Sequence, residues 1–283
     1  MPRVVFPPMS GDDALFDVEL KLLLEAIYLR YQQDFRGYAL SSVRRRVRQA
    51  MAHFHCERVS DLQHRLLHEP DVFAQAMRYL TVQVSEMFRD PEYFRGLQET
   101  VFPFLATYPS IKVWVAGCSA GEEVWSLAIL LQEAGLLDRT LIYATDINPE
   151  ALRKAEAGTY DVERIAGFSR NYLAAGGRAS LSDYYTSAYA GATFDRGLRR
   201  HMVFADHSLA TDAVFSEVQF VSCRNVLIYF NRDLQDRAVG LFRDALVHRG
   251  FLGLGGRESL QFGAHAVAFE ACDRAQRIYR KRA

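Results

Sequence analysis

Net charge is absent from this 283-residue chain: Lys plus Arg and Asp plus Glu each number 34. No whole-molecule field therefore draws it to nucleic acid or an anionic membrane, and any electrostatic recognition must come from a local cluster. Cysteine is scarce. The four, Cys56, Cys118, Cys223 and Cys272, form no C-x-x-C pair, which argues against a disulfide framework or a zinc site and suits a reducing cytosol. No run of about 18 apolar residues exists, and the start lacks a basic-then-apolar leader pattern. The expectation is a soluble, cytoplasmic, metal-free protein. Internal repeats and low-complexity tracts are also missing. What remains is a globular composition, 49% hydrophobic and 24% charged, in a length that predicts one large or two modest domains.

The rhythm of the sequence changes near residue 110. Before it, apolar residues recur at three- and four-residue spacing. Phe16, Leu20, Leu23, Leu24, Ile27 and Tyr31 form one such stripe, the mark of an amphipathic helix. A second helix is expected from Ser41 or Ser42 through Val43, Val47 and Met51, and a third from Ser60 to before Pro70. Two more are expected from Asp71 to about Leu80 and from Pro91 to about Ala106. Residues 1–85 thus read as an all-helical unit, and 86–283 as a second domain. In the latter, strand candidates Ile111–Ala116, Leu141–Thr145, Phe215–Cys223 and Phe251–Gly255 alternate with helical stretches. That alternation predicts an α/β fold with a doubly wound, mostly parallel sheet. Ala266–Cys272 and Arg277–Arg280 follow without a helix between them, so an antiparallel edge hairpin is expected. Residues 168–202, rich in Gly, Tyr, Ser and Arg, are too long for a plain loop and read as an inserted subdomain. The basic run Arg280-Lys281-Arg282 is compatible with a linker to a further domain.

A glycine-rich turn, Gly117-Cys118-Ser119-Ala120-Gly121, follows the first strand. Such a turn lets backbone approach an adenosine-bearing cofactor. It is not G-x-G-x-x-G, and the next helix opens with Glu122 and Glu123, which would repel a pyrophosphate. Carboxylates suit a cofactor carrying an amine and a sulfonium. Asp146, ending the second strand, sits where it can accept from both ribose hydroxyls. The reading favours S-adenosylmethionine over NAD. Each feature also has a plain structural explanation: a tight turn, acidic residues stabilising a helix N-terminus, and a turn residue before Asn148-Pro149.

These segments resemble the chemotaxis receptor methyltransferase (CheR) family. V-W-V-A-G-C-S-A-G-E-E at 113–123 is similar to its cofactor loop, and A-T-D-I-N at 144–148 to its second-strand motif. F-V-S-C-R-N-V-L-I-Y-F at 220–230 resembles its most distinctive stretch, and T-V-Q-V-S-E-M-F-R-D-P-E-Y-F at 81–94 its interdomain segment. The order matches across nearly the whole chain. The resemblance implies a methyltransferase that esterifies glutamate side chains on a methyl-accepting chemoreceptor-like protein. It implies cofactor contacts from Gln83, Ser85, Arg89, Gly117, Gly121, the Glu122–Glu123 pair, Asp146 and Asn225, with Ser208, Leu209 and Arg224 also lining the site. Arg89 and Tyr229 would flank the transferring methyl. The family usually has Asn at the position of Gln83, Thr at Ser85, Asn at Ser208 and Phe at Met87. G-G-R-E-S at 255–259 replaces its usual G-H-S-E-S. The substitutions at 83, 85 and 208 keep hydrogen-bonding capacity.

Methyl transfer to a carboxylate needs little acid–base help, since a glutamate of pKa about 4.3 is ionised at neutral pH. The work is alignment and exclusion of water. Arg89 is assigned to orienting the incoming carboxylate or the cofactor's own carboxylate. Tyr229 is a positioning donor rather than a base, since a free phenol near pKa 10 stays protonated. The plain alternatives are an Arg89 pair with Glu92 or Asp90, and a Tyr229 packed with Ile228 and Phe230. Arg44, Arg45, Arg46 and Arg48 fall on the second helix, where Arg44 and Arg48 share a face with no Asp around them. The resemblance implies that this patch docks the acidic helical stalk of a receptor. Two other readings stand beside the enzyme: a non-catalytic module binding S-adenosylmethionine or S-adenosylhomocysteine as a signal, and a small-molecule methyltransferase. The helical first unit and the arginine cluster weigh against the latter.

Overall fold

Three- and four-residue apolar spacing folds the start of the chain into α1 (Asp12–Tyr31), α2 (Leu40–His53), α3 (Val59–His68) and α4 (Pro70–Leu80). The computed structural model describes residues 12–188, 191–260 and 263–282. The chain parts into two compact units, Met1–Val82 and Gln83–Ala283. In the first, Leu20, Leu23, Leu24 and Ile27 of α1 are buried with Val43 and Val47 of α2 and Leu62 and Leu66 of α3. The serines expected as caps lie elsewhere. Ser41 and Ser42 are within the first turn of α2, and Ser60 is inside α3. Asp61 does the capping, accepting the Arg58 N–H at 2.9 Å, because a carboxylate three residues into a helix reaches back to the free amide.

The arginine patch on α2 is corrected by the fold. The inward face of α2 is Val43, Arg46, Val47 and Ala50, so Arg46 is 3% exposed and donates to the Leu80 carbonyl at 2.7 Å. It satisfies the end of α4 and takes no part in a docking surface. Arg44 and Arg48 are not free of acid: α1 supplies Asp17 to Arg44, and Asp13 to Arg48 at 2.8 Å. Arg48 also lies over the Phe16 ring. Arg45 points to solvent.

The second unit begins with α5 (Pro91–Gly96), which passes through a π-helical turn at Leu97–Val101 into α6 (Phe102–Leu105). Next come β1 (Ile111–Ala116), α7 (Glu122–Glu133), β2 (Thr140–Asp146) and α8 (Pro149–Ala157). An insertion holds β3 (Thr159–Asp161), α9 (Val162–Ala174), β4 (Tyr185–Ala188), β5 (Gly191–Phe194) and α10 (Arg196–Arg199). The chain closes with β6 (Met202–Asp206), β7 (Val218–Cys223), α11 (Arg232–Ala245), β8 (Leu246–Leu254), β9 (Phe269–Asp273) and β10 (Ile278–Lys281).

Seven strands form one sheet in the order β6-β2-β1-β7-β8-β10-β9. The first five run parallel, and β10 is antiparallel to both β8 and β9. Strand order reverses between β1 and β7, which opens a crevice at the carboxyl ends of these strands. β6 was not anticipated. It is an edge strand with Val203 40% exposed, and its weak apolar alternation straddles the end of the expected insertion. The insertion makes its own three-stranded antiparallel sheet, β3-β5-β4, from Thr159 onward. It is fastened to the end of α7 by Glu133, which accepts from the hydroxyls of Tyr172 and Tyr184.

Arg46→Ala should lower the unfolding free energy in urea titration by about 1–3 kcal/mol, the cost of stripping a buried carbonyl of its donor. Arg45→Ala should leave it unchanged. Equal stability of the two variants would contradict the buried role of Arg46.

Candidate cofactor site

The loop after β1 can reach the crevice because its backbone turns left-handed three times, at Gly117 (φ 73°), Ser119 (φ 51°) and Gly121 (φ 88°). A Cβ at Gly117 would lie 2.5 Å from a Val226 methyl, so only glycine lets this loop meet the one after β7. Asp146, at the end of β2, is locked between two backbone donors. The Ser119 N–H reaches one oxygen at 2.9 Å and the Asn148 N–H the other at 2.9 Å. Burial pushes its pKa up, and these amides offset part of that shift. Each oxygen keeps acceptor capacity for a further donor. β6 runs beside β2 with Asp206 in register with Asp146, which brings Ser208 and Leu209 to the same end of the sheet. Ser208 Oγ accepts the Ala210 N–H at 3.2 Å, and Leu209 is buried.

Segment 83–90 is held by side chains from four other parts of the unit. Ser119 Oγ donates to the side-chain amide oxygen of Gln83 at 3.0 Å. From α9, Arg164 donates to the Ser85 carbonyl and Asn171 to the Met87 carbonyl at 3.1 Å. The Phe88 N–H donates to Ser126 Oγ of α7 at 2.9 Å, and Arg224 donates to the Arg89 carbonyl at 2.9 Å. These ties explain why the unit boundary falls at Val82–Gln83 rather than after residue 85. Left-handed backbone at Phe88 and Asp90 turns the segment, and Arg89 is left half-buried with no side-chain partner among the described residues.

The two glutamates opening α7 have different surroundings. Glu123 accepts from Ser222 Oγ at 2.6 Å and from Arg224 at 3.1 Å. Arg224 is almost wholly buried, bonds Asp90 at 2.8 Å and lies 4.0 Å over the Tyr93 ring. Burial opposes its charge, but Glu123 and Asp90 more than offset this and keep its pKa above the ordinary value. Glu123 and Arg224, both expected at the cofactor, are thus joined to each other as a brace. Glu122 is 1% exposed and pairs with Arg164 at 2.9 Å. Its Oε2 is buried and accepts no hydrogen bond among the described residues. Burial raises its pKa, with Arg164 pulling the other way.

Residues that sequence reasoning did not single out do much of the positioning. Glu258 accepts the N–H groups of Asn225 at 3.0 Å, Val226 at 2.9 Å, Ile228 at 3.3 Å and Gly255 at 2.6 Å. One buried carboxylate thereby fixes the left-handed Asn225 (φ 60°) and the single turn Leu227–Tyr229 that carries half-buried Tyr229. Its place in G-G-R-E-S was the available signal. Arg164 had none, since its partners lie in other segments of the chain.

The residues present fit S-adenosylmethionine. Asp146 can take ribose hydroxyls, and an unpartnered buried carboxylate oxygen on Glu122 suits a cation. No pyrophosphate cradle is made at the start of α7, where both first-turn residues are acids. An open, mostly parallel sheet with these groups at its switch point fits an S-adenosylmethionine-dependent methyltransferase. Residues 83–277 match the CheR methyltransferase SAM-binding domain and residues 18–81 the CheR all-alpha domain. A Pseudomonas putida protein, Cher3, described provisionally as a methyltransferase, is 57% identical over 265 residues, 94% of this chain and 97% of that one. Chemotaxis protein methyltransferases from Listeria innocua (30% identical; 64% of this chain, 67% of that one) and Pseudomonas aeruginosa (29% identical; 70% of each) are also similar. The chain belongs to the CheR methyltransferase family.

The pKa of Glu122 predicts a linkage. A carboxylate raised by burial contributes stability below its ordinary pKa, near 4.5, and that contribution is lost as pH rises through the raised value. A bound cation favours the ionised form, so cofactor binding should release a proton in the window just above the ordinary carboxylate range. Calorimetric heats of S-adenosylmethionine binding should therefore depend on the buffer's ionisation enthalpy on the acidic side, above the ordinary carboxylate pKa, with any release from Asp146 adding to it. Glu122→Gln should diminish that dependence. Buffer-independent heats across the acidic range would contradict the account.

Proposed function

We propose that this chain transfers the methyl group of S-adenosylmethionine to glutamate side chains of a methyl-accepting, chemoreceptor-like signalling protein in the cytoplasm, forming methyl esters in sensory adaptation. The observation that carries the reading is Arg89. Its backbone is tied down through the carbonyl bonded to Arg224, while its guanidinium is uncommitted among the described residues. A fixed stem with a free cationic fork is what orienting a carboxylate requires.

The cofactor, when bound, supplies a methyl group on a sulfonium; transfer to a carboxylate oxygen releases neutral S-adenosylhomocysteine. In this reading Asp146 holds the ribose, Glu122 the cationic end, and Asn225 with Gln83, Ser85, Ser208 and Leu209 the remaining polar and apolar edges. The left-handed turns at Gly117 and Gly121 bring the loop backbone to the cofactor, while Val226 and Ala155 fill the side a Cβ would need. Glu123 and Arg224 act as positioning residues behind Arg89. Tyr229 donates from its turn to keep the acceptor carboxylate in line. The acceptor is already ionised at neutral pH, so no general base is needed. In the first unit, exposed Arg45 with the rims of Arg44 and Arg48 forms the docking face for an acidic helical stalk. That contact should speed encounter and fade with salt.

The test is a titration with S-adenosylmethionine and S-adenosylhomocysteine, paired with labelled methyl transfer to the cytoplasmic fragment of a chemoreceptor. The wild type should bind both ligands and label glutamates. Asp146→Ala should lose binding, whereas Arg89→Ala should keep S-adenosylhomocysteine within a few fold and lose at least about tenfold in transfer rate, or 1.4 kcal/mol. Saturable binding with no label in any carboxylate would leave a cofactor-sensing module and end the enzymatic reading.

A further inference from the structure

Beside the loop that presents Asn225 and Tyr229, and lined in part by Leu227 and Ile228 of that loop, lies a second cleft of about 400 Å³. Its floor is apolar, built from Leu227, Val239 and Leu260, and its rim carries Arg232, Asp236 and Arg257. The exposed charges on this rim are both guanidinium groups. The two lining acids are turned towards backbone: Asp236 accepts the Ala264 N–H at 3.0 Å, and Glu258 accepts the four amides described above. Arg257 makes no ion pair or hydrogen bond among the described residues and belongs to the segment braced by Glu258. Ile228, which also lines the cleft, precedes Tyr229 in the same turn.

We propose that Arg257 and this cleft form a specificity subsite for the methyl-acceptor, taking an acidic side chain that neighbours the reacting glutamate on an acidic amphipathic helix. The proposal rests on the glutamate-methylating reading above. The argument is adjacency and charge. A helix that presents one glutamate to Tyr229 carries its neighbours three and four residues away on the same face. The cleft offers that face an apolar floor and a cationic rim, which suit an apolar side chain and a carboxylate respectively. In this role Arg257 acts on the choice of acceptor, not on the transfer itself.

The experiment uses the full chain and two synthetic alanine-rich helical peptides. Both carry one central glutamate; one has a second glutamate four residues away and the other has glutamine there. The wild type should methylate the two-acid peptide with about fivefold lower KM and similar kcat, the size of a partly exposed ion pair. The preference should disappear in Arg257→Ser, survive in Arg257→Lys, and vanish at about 1 M salt. S-adenosylhomocysteine affinity should be the same in all three proteins. An undiminished preference in Arg257→Ser, equal use of both peptides by the wild type, or loss of S-adenosylhomocysteine binding in Arg257→Ser would overturn the subsite alone. Labelling of neither peptide by wild type, with cofactor binding intact, would overturn the subsite together with the glutamate reading.

Discussion

A single buried guanidinium joins the parts of this site. Arg224 leaves the end of β7, donates to Glu123 at the start of α7 and to Asp90, and holds the carbonyl of Arg89. It rests on the Tyr93 ring, whose hydroxyl bonds Ser222 Oγ at 2.7 Å, and that serine in turn donates to Glu123. Three segments far apart in sequence are closed into one network. The Nε of Arg224 is buried without a hydrogen-bond partner among the described residues; taking such a charge out of water costs several kcal/mol that the pairs only partly offset, and removing one partner leaves that cost exposed. The network therefore acts less as a source of stability than as a specification of where the three segments meet.

Glu258 does the equivalent work one loop further out. Among the described residues it has no cationic partner; its oxygens gather backbone amides from both sides of the site loop. Burial raises its pKa while those amides pull it down. Between them, Arg224 and Glu258 leave the backbone at Arg89, Asn225 and Tyr229 little freedom before any ligand arrives, the preorganisation that the proposed transfer to a carboxylate would draw on. The insertion contributes as well, since Arg164 and Asn171 of α9 bind Ser85 and Met87 from the opposite side.

Much of this was legible in the residues. β1 and β7 are short apolar runs buried almost throughout, β2 alternates buried with half-buried residues, a glycine turn follows β1 and Asp146 ends β2, so strand, turn and acid declare themselves locally. The edge strand β6 does not, because half of it faces solvent. Arg46 was misplaced although the helical period was available: it lies three residues after Val43 and four before Ala50, and the charge was weighed above the phase. The Asp13 and Asp17 partners of the patch come from α1, which no spacing within α2 could show. Arg224 was found through its motif, but its role as a brace and the roles of Glu258 and Arg164 depend on partners tens of residues distant. Contacts of that separation are properties of the fold, not of any local pattern.

The most direct measurement is the affinity of an Arg224→Lys variant for S-adenosylhomocysteine, taken on a sample whose circular dichroism matches the wild type. Lysine keeps the charge but lacks the planar fork that serves Glu123, Asp90 and the Arg89 carbonyl together. The account predicts binding weaker by at least about tenfold, or 1.4 kcal/mol, because segment 83–90 and the start of α7 lose their common anchor. Unchanged affinity would mean that these segments are held in place without Arg224, and that the brace is not what assembles the site.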